Sequence, residues 1–277
     1  MRLYIHTVGR CATQYTWDHL PSKWRDQAVL VVQAKEHAAG LYEAHQGKVL
    51  VLPKTITTLS PTRQWIMEQH NVQRHGPTLC LLDDDLREFA KRRTDNPQLF
   101  TQCTPAQRSL IFDRLERLVT TRYAHAGVLA REGGNRVEQL PFLYATRMMR
   151  VLAYHVPTVR AVRARFDRVV CKQDFDMTLQ LLRAGHPNVV ISDYVQGQAQ
   201  GSGAVGGCAA YRTLAVMDAA ARKLRELHPD FVKVVRKVTA TAWGGAERTE
   251  VVVQWQRALK SSGYTVSKPR QLAAGRY

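Results

Sequence analysis

Short apolar segments alternate with helical segments through the first 83 residues, and this alternation constrains the fold more than any other feature of the chain. Runs with the length and composition of buried strands lie at residues 3–8, 28–34, 49–52 and 78–82. Helical segments separate them, around residues 38–46 and from Ser60 onward. Strands that alternate with helices are typical of crossover connections. The sequence therefore predicts an α/β fold with a mostly parallel central sheet flanked by helices.

The fourth apolar run ends in three consecutive carboxylates, Asp83, Asp84 and Asp85. Adjacent like charges repel one another, and a divalent cation is the counterion that would hold them at the end of a buried strand. Asp83 and Asp85 have strand spacing, so both side chains can point to one side and share one ion. Ligands bind at the carboxyl ends of strands in open α/β sheets. The triplet predicts a hard-metal site facing a phosphorylated ligand, and a solvated acidic turn is the alternative interpretation.

The chain is strongly basic, with 40 Lys and Arg against 23 Asp and Glu and a formal net charge of +17 over 277 residues. Such a charge concentrates polyanions near the surface, and nucleic acid is the commonest partner of a surface of this kind. The alternative is a basic protein without such a partner. Arginine, whose guanidinium group suits phosphate oxygens, is dense in one segment. The candidate DNA-binding residues are Arg147, Arg150, Arg160, Arg163 and Arg165.

The cysteines and the hydropathy of the chain predict its cellular compartment. The five cysteines are scattered and lack CxxC spacing, which argues against both a disulfide framework and a zinc site. We therefore expect a reducing compartment. No run of about 18 apolar residues occurs, so no membrane span is expected. The start of the chain lacks the apolar core of a signal peptide, and a cytoplasmic location is predicted.

Local signals predict several helix boundaries. Ser60 followed by proline predicts a helix start with serine as the N-cap. Thr104 with Gln107 three residues later predicts a capping box. A helix is predicted to open at Asp174 and to end at Gly185, a residue typical of helix C-termini.

The second half of the chain is predicted to add further strands and helices to the same fold. Strands are predicted at 168–171 and 189–191, a β insertion at 136–157, and helices at about 208–227 and 248–262. Residues 197–207 are glycine-dense and uncharged, which favours a loop that closes on a ligand over a floppy linker. We expect one domain over 1–228 and a helical C-terminal extension over 229–277 packed on the same domain.

Four sequence blocks, taken in order, resemble the phage TET-associated glycosyltransferases, which have the GT-A fold. The blocks are Thr7-Val8-Gly9-Arg10, Leu81-Leu82-Asp83-Asp84-Asp85, residues 173–185, and the glycine-rich residues 201–213. The resemblance covers roughly residues 1–225. It implies a hexosyltransferase of the EC 2.4 class. The implied donor is a nucleotide-diphosphate sugar, with a UDP-sugar favoured. The implied acceptor is a 5-hydroxymethylpyrimidine, such as 5-hydroxymethylcytosine, in bacteriophage DNA. The implied location is the host cell cytoplasm, and the implied partner is modified duplex DNA.

The resemblance also implies roles for individual residues. It implies that Asp83 and Asp85 form a DxD motif that holds a divalent metal ion. The sequence does not distinguish Mn²⁺ from Mg²⁺ as that ion. Asp174 becomes the acceptor-side base, with Asp176 next in line, and glutamine stands at 173 where glutamate is common. The residues implied to bind the nucleotide sugar are Thr7, Gly9, Arg10, Asp83, Asp84, Gly206 and Gly207.

Other interpretations stay open at the level of sequence. A non-enzymatic nucleic-acid-binding protein would use the charge alone, with the acidic triplet as a turn. A metal-dependent nuclease would use the same carboxylates but would leave the glycine-rich loop unexplained. A glycosyltransferase acting on an acceptor other than DNA is the third alternative. Asp174 itself is also open to a purely structural interpretation, as the N-cap of its helix.

Overall fold

The computed structural model of the chain describes residues 1–132, 134, 141–198, 206–238 and 246–265. The strands are β1 (Arg2–His6), β2 (Ala28–Val32), β3 (Val49–Val51), β4 (Thr78–Asp83), β5 (Leu86–Arg92), β6 (Phe100–Gln102), β7 (His125–Ala130), β8 (Phe142–Tyr144), β9 (Val151–His155), β10 (Asn188–Gln198), β11 (Val232–Lys237) and β12 (Arg248–Val253). The helices are α1 (Tyr15–His19), α2 (Ser22–Arg25), α3 (Ala34–Ala38), α4 (Leu59–Gln69), α5 (Val72–His75), α6 (Pro105–Leu118), α7 (Val156–Val162), α8 (Gln173–Arg183), α9 (Leu214–Leu227) and α10 (Trp255–Lys260).

One large sheet forms the centre of the molecule, with strand order β3-β2-β1-β4-β9-β7-β10-β5-β6 and β8 paired to β10. The first four strands run parallel, as the alternation of strands and helices predicts. Strand β7 is parallel to β10, whereas β9 is antiparallel to both β4 and β7. The predicted class, an α/β fold with a large central sheet and flanking helices, is confirmed.

The sheet is buried on both faces, which explains why its central strands are almost wholly apolar. In β4, Cys80 and Leu82 face one cluster and Leu79 and Leu81 face the other. The first cluster includes Trp17, Trp24, Ile111, Phe112 and Leu115 from α1, α2 and α6. The second includes Ile66, Val159, Met177 and Leu181 from α4, α7 and α8. Helices therefore cover both faces and leave the carboxyl ends of β1 and β4 to the loops.

The C-terminal extension is not purely helical, which corrects the prediction. Residues 248–253 form β12, which pairs antiparallel with β11 in a two-stranded ribbon, and helix α10 begins only at Trp255. The run Val251-Val252-Val253 is β-branched and favours a strand once a partner strand is present. The partner strand β11 lies in a separate segment, so the periodicity of residues 248–262 taken alone predicts a helix where β12 forms.

The predicted strand at 168–171 is also wrong, since these residues form an irregular segment. Val169 and Cys171 are buried against Met217 and Ala220 of α9. The run is therefore apolar because it packs on this helix, and it does not form a strand of the sheet. The hydroxyl of Ser60 donates to the carbonyl oxygens of Val169 and Val170 at 2.7 and 2.8 Å.

Ser60 is therefore not the N-cap that the sequence predicts. Helix α4 begins at Leu59, one residue earlier, and its N-cap position is Thr58. The serine hydroxyl is used instead to attach the segment before α8 to the start of α4.

Two other local predictions are confirmed. The reciprocal capping box of Thr104 and Gln107 is present at the start of α6. Gly185 follows α8 with φ +84°, a left-handed conformation that favours glycine. Among the described residues, no helix combines the length and apolar character needed to cross a lipid bilayer.

Candidate active site

The acidic triplet lies beside the loop that follows β1. Strands β1 and β4 are adjacent and parallel, and His6, the last residue of β1, is in register with Asp83, the last of β4. Residues 7–10 and 83–85 therefore leave the same edge of the sheet side by side. This is the edge at which ligands bind in open α/β sheets.

Asp83 is held as an anion by two cationic or hydrogen-bonding neighbours. Its Oδ1 accepts a hydrogen bond from Arg63 Nη2 at 2.7 Å and lies 3.2 Å from His6 Nε2. Burial alone would raise the pKa of Asp83, but the hydrogen bond with His6 and the charge of Arg63 outweigh it and lower the pKa to about 2. Arg63 comes from the second turn of α4 and is only 3% exposed, so this pair is shielded from solvent.

Asp84 and Asp85 share one cationic neighbour, Arg10, for their two carboxylates. Arg10 forms an ion pair with Asp84 and lies 3.4 Å from Asp85 Oδ2, whose carboxylate also accepts from Gln198 Nε2 at 3.2 Å. Burial raises the pKa of Asp84, and burial together with the charges of Asp83 and Asp84 raises that of Asp85. Asp84 Oδ2 is buried and has no hydrogen-bond partner among the described residues.

This arrangement fits a divalent ion that is shared with a substrate. Carboxylate oxygens are the ligands that Mg²⁺ and Mn²⁺ prefer, and three carboxylates lie together here with Arg10, Arg63 and His6 as their cationic or hydrogen-bonding neighbours. Across the described residues, no three His, Cys, Asp or Glu side chains converge on one metal position. Mg²⁺ is usually held by one or two carboxylates plus phosphate oxygens and water. The strand spacing predicted for Asp83 and Asp85 is wrong, because β4 ends at Asp83 and residues 84 and 85 form a turn. The two carboxylates lie at the end of the same strand and are the candidates for that smaller requirement.

The glycine-rich segment meets the loop after β1. Gly207 N–H donates to Val8 O at 2.9 Å, and Gly9 N–H donates to Glu36 Oε1 at 2.7 Å. Gly206 has φ +98°, and a Cβ there would lie 2.7 Å from Val8 O and 2.9 Å from Arg10 Cγ. Only glycine allows this approach of two backbones.

The structure thus brings together every residue that the sequence assigns to nucleotide-sugar binding. Thr7 belongs to this group through its hydroxyl, which lies 3.3 Å from Gln14 Nε2 inside the same loop. Residues 199–205 of the predicted loop lie outside the described residues.

Asp174 lies near the same edge, at the start of α8. It is half-buried and is the second residue of the helix. The N-cap position is Lys172, and no side chain caps this end, so Asp174 is not the N-cap. Ser60 of α4 bonds to the segment just before α8, and Arg63 of the same helix bonds to Asp83. Helix α4 therefore links the start of α8 to the acidic triplet.

Asp176 has a different environment from Asp174. It is fully buried, with Oδ1 2.7 Å from His228 Nε2 and Oδ2 accepting from Gln180 Nε2 at 2.9 Å. Arg168 lies 3.4 Å from the same carboxylate. Residues two positions apart on a helix do not face one another. The contacts of Asp176 therefore attach α8 to the end of α9 and do not bring this carboxylate to the triplet.

Three of the five candidate DNA-binding arginines form contacts within the protein: Arg150, Arg160 and Arg165. The guanidinium of Arg150 binds both carboxylate oxygens of Glu132, at 2.9 and 3.0 Å. Its charge also acts on Asp83, so it belongs to the acidic site. Arg160 donates to three carbonyl oxygens at the end of α4, at distances of 2.8–3.2 Å. It caps that helix end.

Arg165, Arg163 and Arg147 are exposed, as is Arg160, but these three do not share one environment. Arg165 forms a two-bond ion pair with Asp167, at 2.6 and 2.9 Å. Arg163 adopts φ +58° at the end of α7 and is exposed. Arg147 is exposed, with its guanidinium 4.6 Å from the centroid of the Phe175 ring. Of the set, Arg147 is the one in contact with the start of α8.

Sequence reasoning missed three residues that complete the site: His6, Arg63 and Gln198. His6 had a usable signal, because aligning the first and fourth strands places it opposite Asp83. Arg63 and Gln198 had none, since α4 and β10 reach the triplet only through the folded sheet.

Comparisons with known proteins agree with this geometry. The family described as "TET-Associated Glycosyltransferase" matches residues 1–207 of the chain. Among solved structures, the chain is similar to "Mannosyltransferase PcManGT from Pyrobaculum calidifontis in complex with GDP-Man and Mn2+", with 12% identity and a TM-score of 0.52. The match covers 82% of this chain and 62% of that one, so this chain spans less than two thirds of the mannosyltransferase. At this identity the likeness concerns the fold, and it confirms the predicted GT-A-like class.

A second solved structure, CMP:2-keto-3-deoxy-manno-octonic acid synthetase complexed with CTP, is 11% identical with a TM-score of 0.41, over 76% of this chain and 94% of that one. No protein with a curated description is a significant match to the sequence.

Proposed function

The chain belongs to the TET-associated glycosyltransferase family, and we propose that it moves a hexose from a nucleotide-diphosphate sugar onto 5-hydroxymethylpyrimidine bases of duplex DNA. Membership makes it a glycosyltransferase that uses a nucleotide-sugar donor. The observation that supports the finer proposal is the contact of Arg10 with Asp84, with Asp85 and with the glycine pair Gly206–Gly207 at the carboxyl edge of the sheet.

The donor side of the proposal rests on the loop after β1. The guanidinium of Arg10 lies beside the triplet and against Gly207, whereas the N–H groups of Gly9 and Gly207 donate within the protein, to Glu36 and Val8. Phosphate oxygens accept strong hydrogen bonds from a guanidinium group. The structurally similar mannosyltransferase is described in complex with GDP-Man and Mn²⁺. These observations favour a diphosphate that binds to Arg10 beside the acidic triplet.

Metal dependence is part of the proposal. Asp85, with Asp83 beside it, would hold Mn²⁺ or Mg²⁺. When bound, the ion would supply positive charge that stabilises the negative charge on the departing nucleoside diphosphate. Arg63 and His6 keep Asp83 ionised and fix its orientation.

On the acceptor side, Asp174 is the proposed general base. The hydroxymethyl oxygen of the modified base attacks the sugar C1, the bond from C1 to the phosphate oxygen breaks, and the hydroxyl proton passes to Asp174. Asp176 is assigned a structural role, because its carboxylate is used by His228 and Gln180.

The test is mass spectrometry of nucleosides after incubation of duplexes containing 5-hydroxymethylcytosine or 5-hydroxymethyluracil with a panel of nucleotide sugars and Mn²⁺. We expect one donor to give a mass gain of one hexose on a modified base, and unmodified duplexes to gain nothing. A parallel thermal-shift measurement identifies the donor that binds. Donor binding without transfer to either duplex, combined with transfer to a non-DNA acceptor, would overturn the DNA assignment.

A further inference from the structure

The ribbon of β11 and β12 lies beyond the family match and has two different faces. Cross-strand partners lie on the same face of an antiparallel pair. The pairs Val232–Val253 and Val234–Val251 belong to the inner face, which packs into the cluster formed with α8 and α10. The outer face is formed by the pairs Lys233–Val252, Val235–Glu250 and Lys237–Arg248.

The outer face is basic and open at both ends. Lys233 and Lys237 are exposed, and Val252 is 53% exposed. Glu250 is the single carboxylate on this face, and Arg248 lies 3.3 Å from it. Burial would raise the pKa of Glu250, but the charge of Lys172 and hydrogen bonds with Lys172 and Arg248 lower it. The one negative charge on the face is therefore already neutralised.

An ion pair joins this face to the acceptor side of the candidate active site. Glu250 Oε2 lies 3.1 Å from Lys172 Nζ, and Lys172 is the N-cap residue of α8, two residues before Asp174. Next to it, Phe175 lies under the guanidinium of Arg147 and 5.7 Å from Lys172 Nζ. Basic groups thus continue from the ribbon to the helix end that carries the proposed base.

We propose that the outer face of the ribbon is the surface against which duplex DNA docks, so that a modified base is delivered to Asp174; this rests on the proposed function. A two-stranded ribbon fits the major groove. Lys233 and Lys237 are four residues apart, which corresponds to about 13 Å along a strand and is close to the groove width of about 12 Å. Arg150 and Arg160 are occupied within the protein and do not offer a comparable surface.

The test compares two double charge reversals of equal size. Lys233→Glu with Lys237→Glu alters the ribbon. Arg74→Glu with Arg122→Glu is the matched control, because both arginines are exposed and precede β4 and β7 at the opposite edge of the sheet. Fluorescence anisotropy with a duplex containing 5-hydroxymethylcytosine gives the dissociation constant at several salt concentrations. Transfer to the same duplex is measured in parallel, and circular dichroism verifies that each variant is folded.

We expect the ribbon variant to bind duplex at least about tenfold more weakly than wild type at about 100 mM salt. The slope of log association constant against log salt concentration should become shallower by about 2, because each lost phosphate contact reduces the slope by about 0.9. Its apparent KM for duplex should rise, whereas donor affinity and the control variant should match wild type. Equal binding by the ribbon and control variants would overturn the docking surface while leaving the proposed function standing. If wild type binds duplex through the ribbon but glycosylates none, the docking surface stands and the proposed function falls. A wild-type protein that binds no duplex would refute the docking surface directly.

Discussion

At the scale of single residues, the proposal gives Asp174 and Asp176 separate roles, although they are only two positions apart. Asp174→Asn keeps the shape of the side chain but removes the proton acceptor, and the lost charge in the first turn of α8 should cost no more than about 1 kcal/mol of stability. We expect kcat for transfer to fall at least about a hundredfold, because general-base assistance contributes about 10²–10⁴-fold. Donor affinity and melting temperature should stay close to wild-type values.

Asp176→Ala is the contrasting variant for that prediction. It removes one partner of a fully buried pair with His228, a change that typically costs about 3–5 kcal/mol of folding free energy. Denaturant titration should register this loss, while the folded fraction keeps its turnover. A near-wild-type kcat for Asp174→Asn, or an active-site loss in folded Asp176→Ala, would reverse the two assignments.

The charge of Asp85 opposes folding, and under the proposed function it would serve metal binding. Burial and the charges of Asp83 and Asp84 raise its pKa, so Asp85→Asn should relieve repulsion and leave the metal-free protein at least as stable as wild type. The same change should abolish transfer and the gain in nucleotide-sugar affinity that Mn²⁺ produces. Thermal melts and calorimetric titration with and without Mn²⁺ measure both effects. Full wild-type activity in excess EDTA would contradict the metal role.

His125 makes the protein sensitive to acid. It is fully buried with Nε2 3.1 Å from His186 O, and burial lowers its pKa to about 3, with smaller effects from that hydrogen bond and from the charge of His186. Below the unfolded pKa of about 6.5 the unfolded chain binds a proton that the folded chain does not, so stability falls as pH falls from about 6.5 toward about 3.

The loss attributable to His125 between about pH 6.5 and about pH 5 is roughly 2 kcal/mol. His125→Gln, which can still donate to His186 O, should lose correspondingly less stability over that interval. Urea titrations at the two pH values give the comparison. Identical pH dependence in wild type and variant would show that other groups carry the acid sensitivity.

At the scale of elements, the contact between the loop after β1 and the glycine segment depends on Gly206. In Gly206→Ala the new Cβ would meet Val8 O at 2.7 Å and Arg10 Cγ at 2.9 Å, and φ +98° is strained for alanine. We expect the two segments to separate and donor affinity to fall. Gly47→Ala is the control, since Gly47 has φ +80° but nothing within 4 Å of its added Cβ. Isothermal titration with the donor should distinguish the two variants, and equal affinities would refute the role of this contact.

Elements whose signals are local could be predicted from the sequence. The capping box of Thr104 and the buried strand before Asp83 are each specified within a few residues. The strand β12 was mistaken for helix because its partner β11 lies in a separate segment. In the same way, the carboxylates and glycines of the site follow from strand ends, whereas Arg63 reaches Asp83 only after α4 packs on the sheet.

At the scale of the whole molecule, the segments before and after residue 228 share one buried cluster. Leu179 and Leu182 of α8 contact Leu224 of α9 and Leu259 of α10 in that cluster. The boundary at 228 therefore stays a prediction about chain organisation, and the packing favours a single cooperative unit. The ribbon is positioned beside Asp174 by this cluster as well as by the pair of Lys172 and Glu250.

Cooperativity can be tested with two leucines of the same helix. Leu224 is fully buried in the shared cluster, whereas Leu214, at the start of α9, is 39% exposed. Leu224→Ala should lower the free energy of unfolding of the whole chain by about 2–5 kcal/mol, because it removes buried methyl groups and leaves a cavity. Leu214→Ala should change it by less than about 1 kcal/mol. Urea unfolding followed by both tryptophan fluorescence and circular dichroism should give one transition that shifts as a unit. If Leu224→Ala instead splits the transition, the C-terminal segment unfolds on its own, and the geometry linking the ribbon to Asp174 would have to come from the Lys172–Glu250 pair alone.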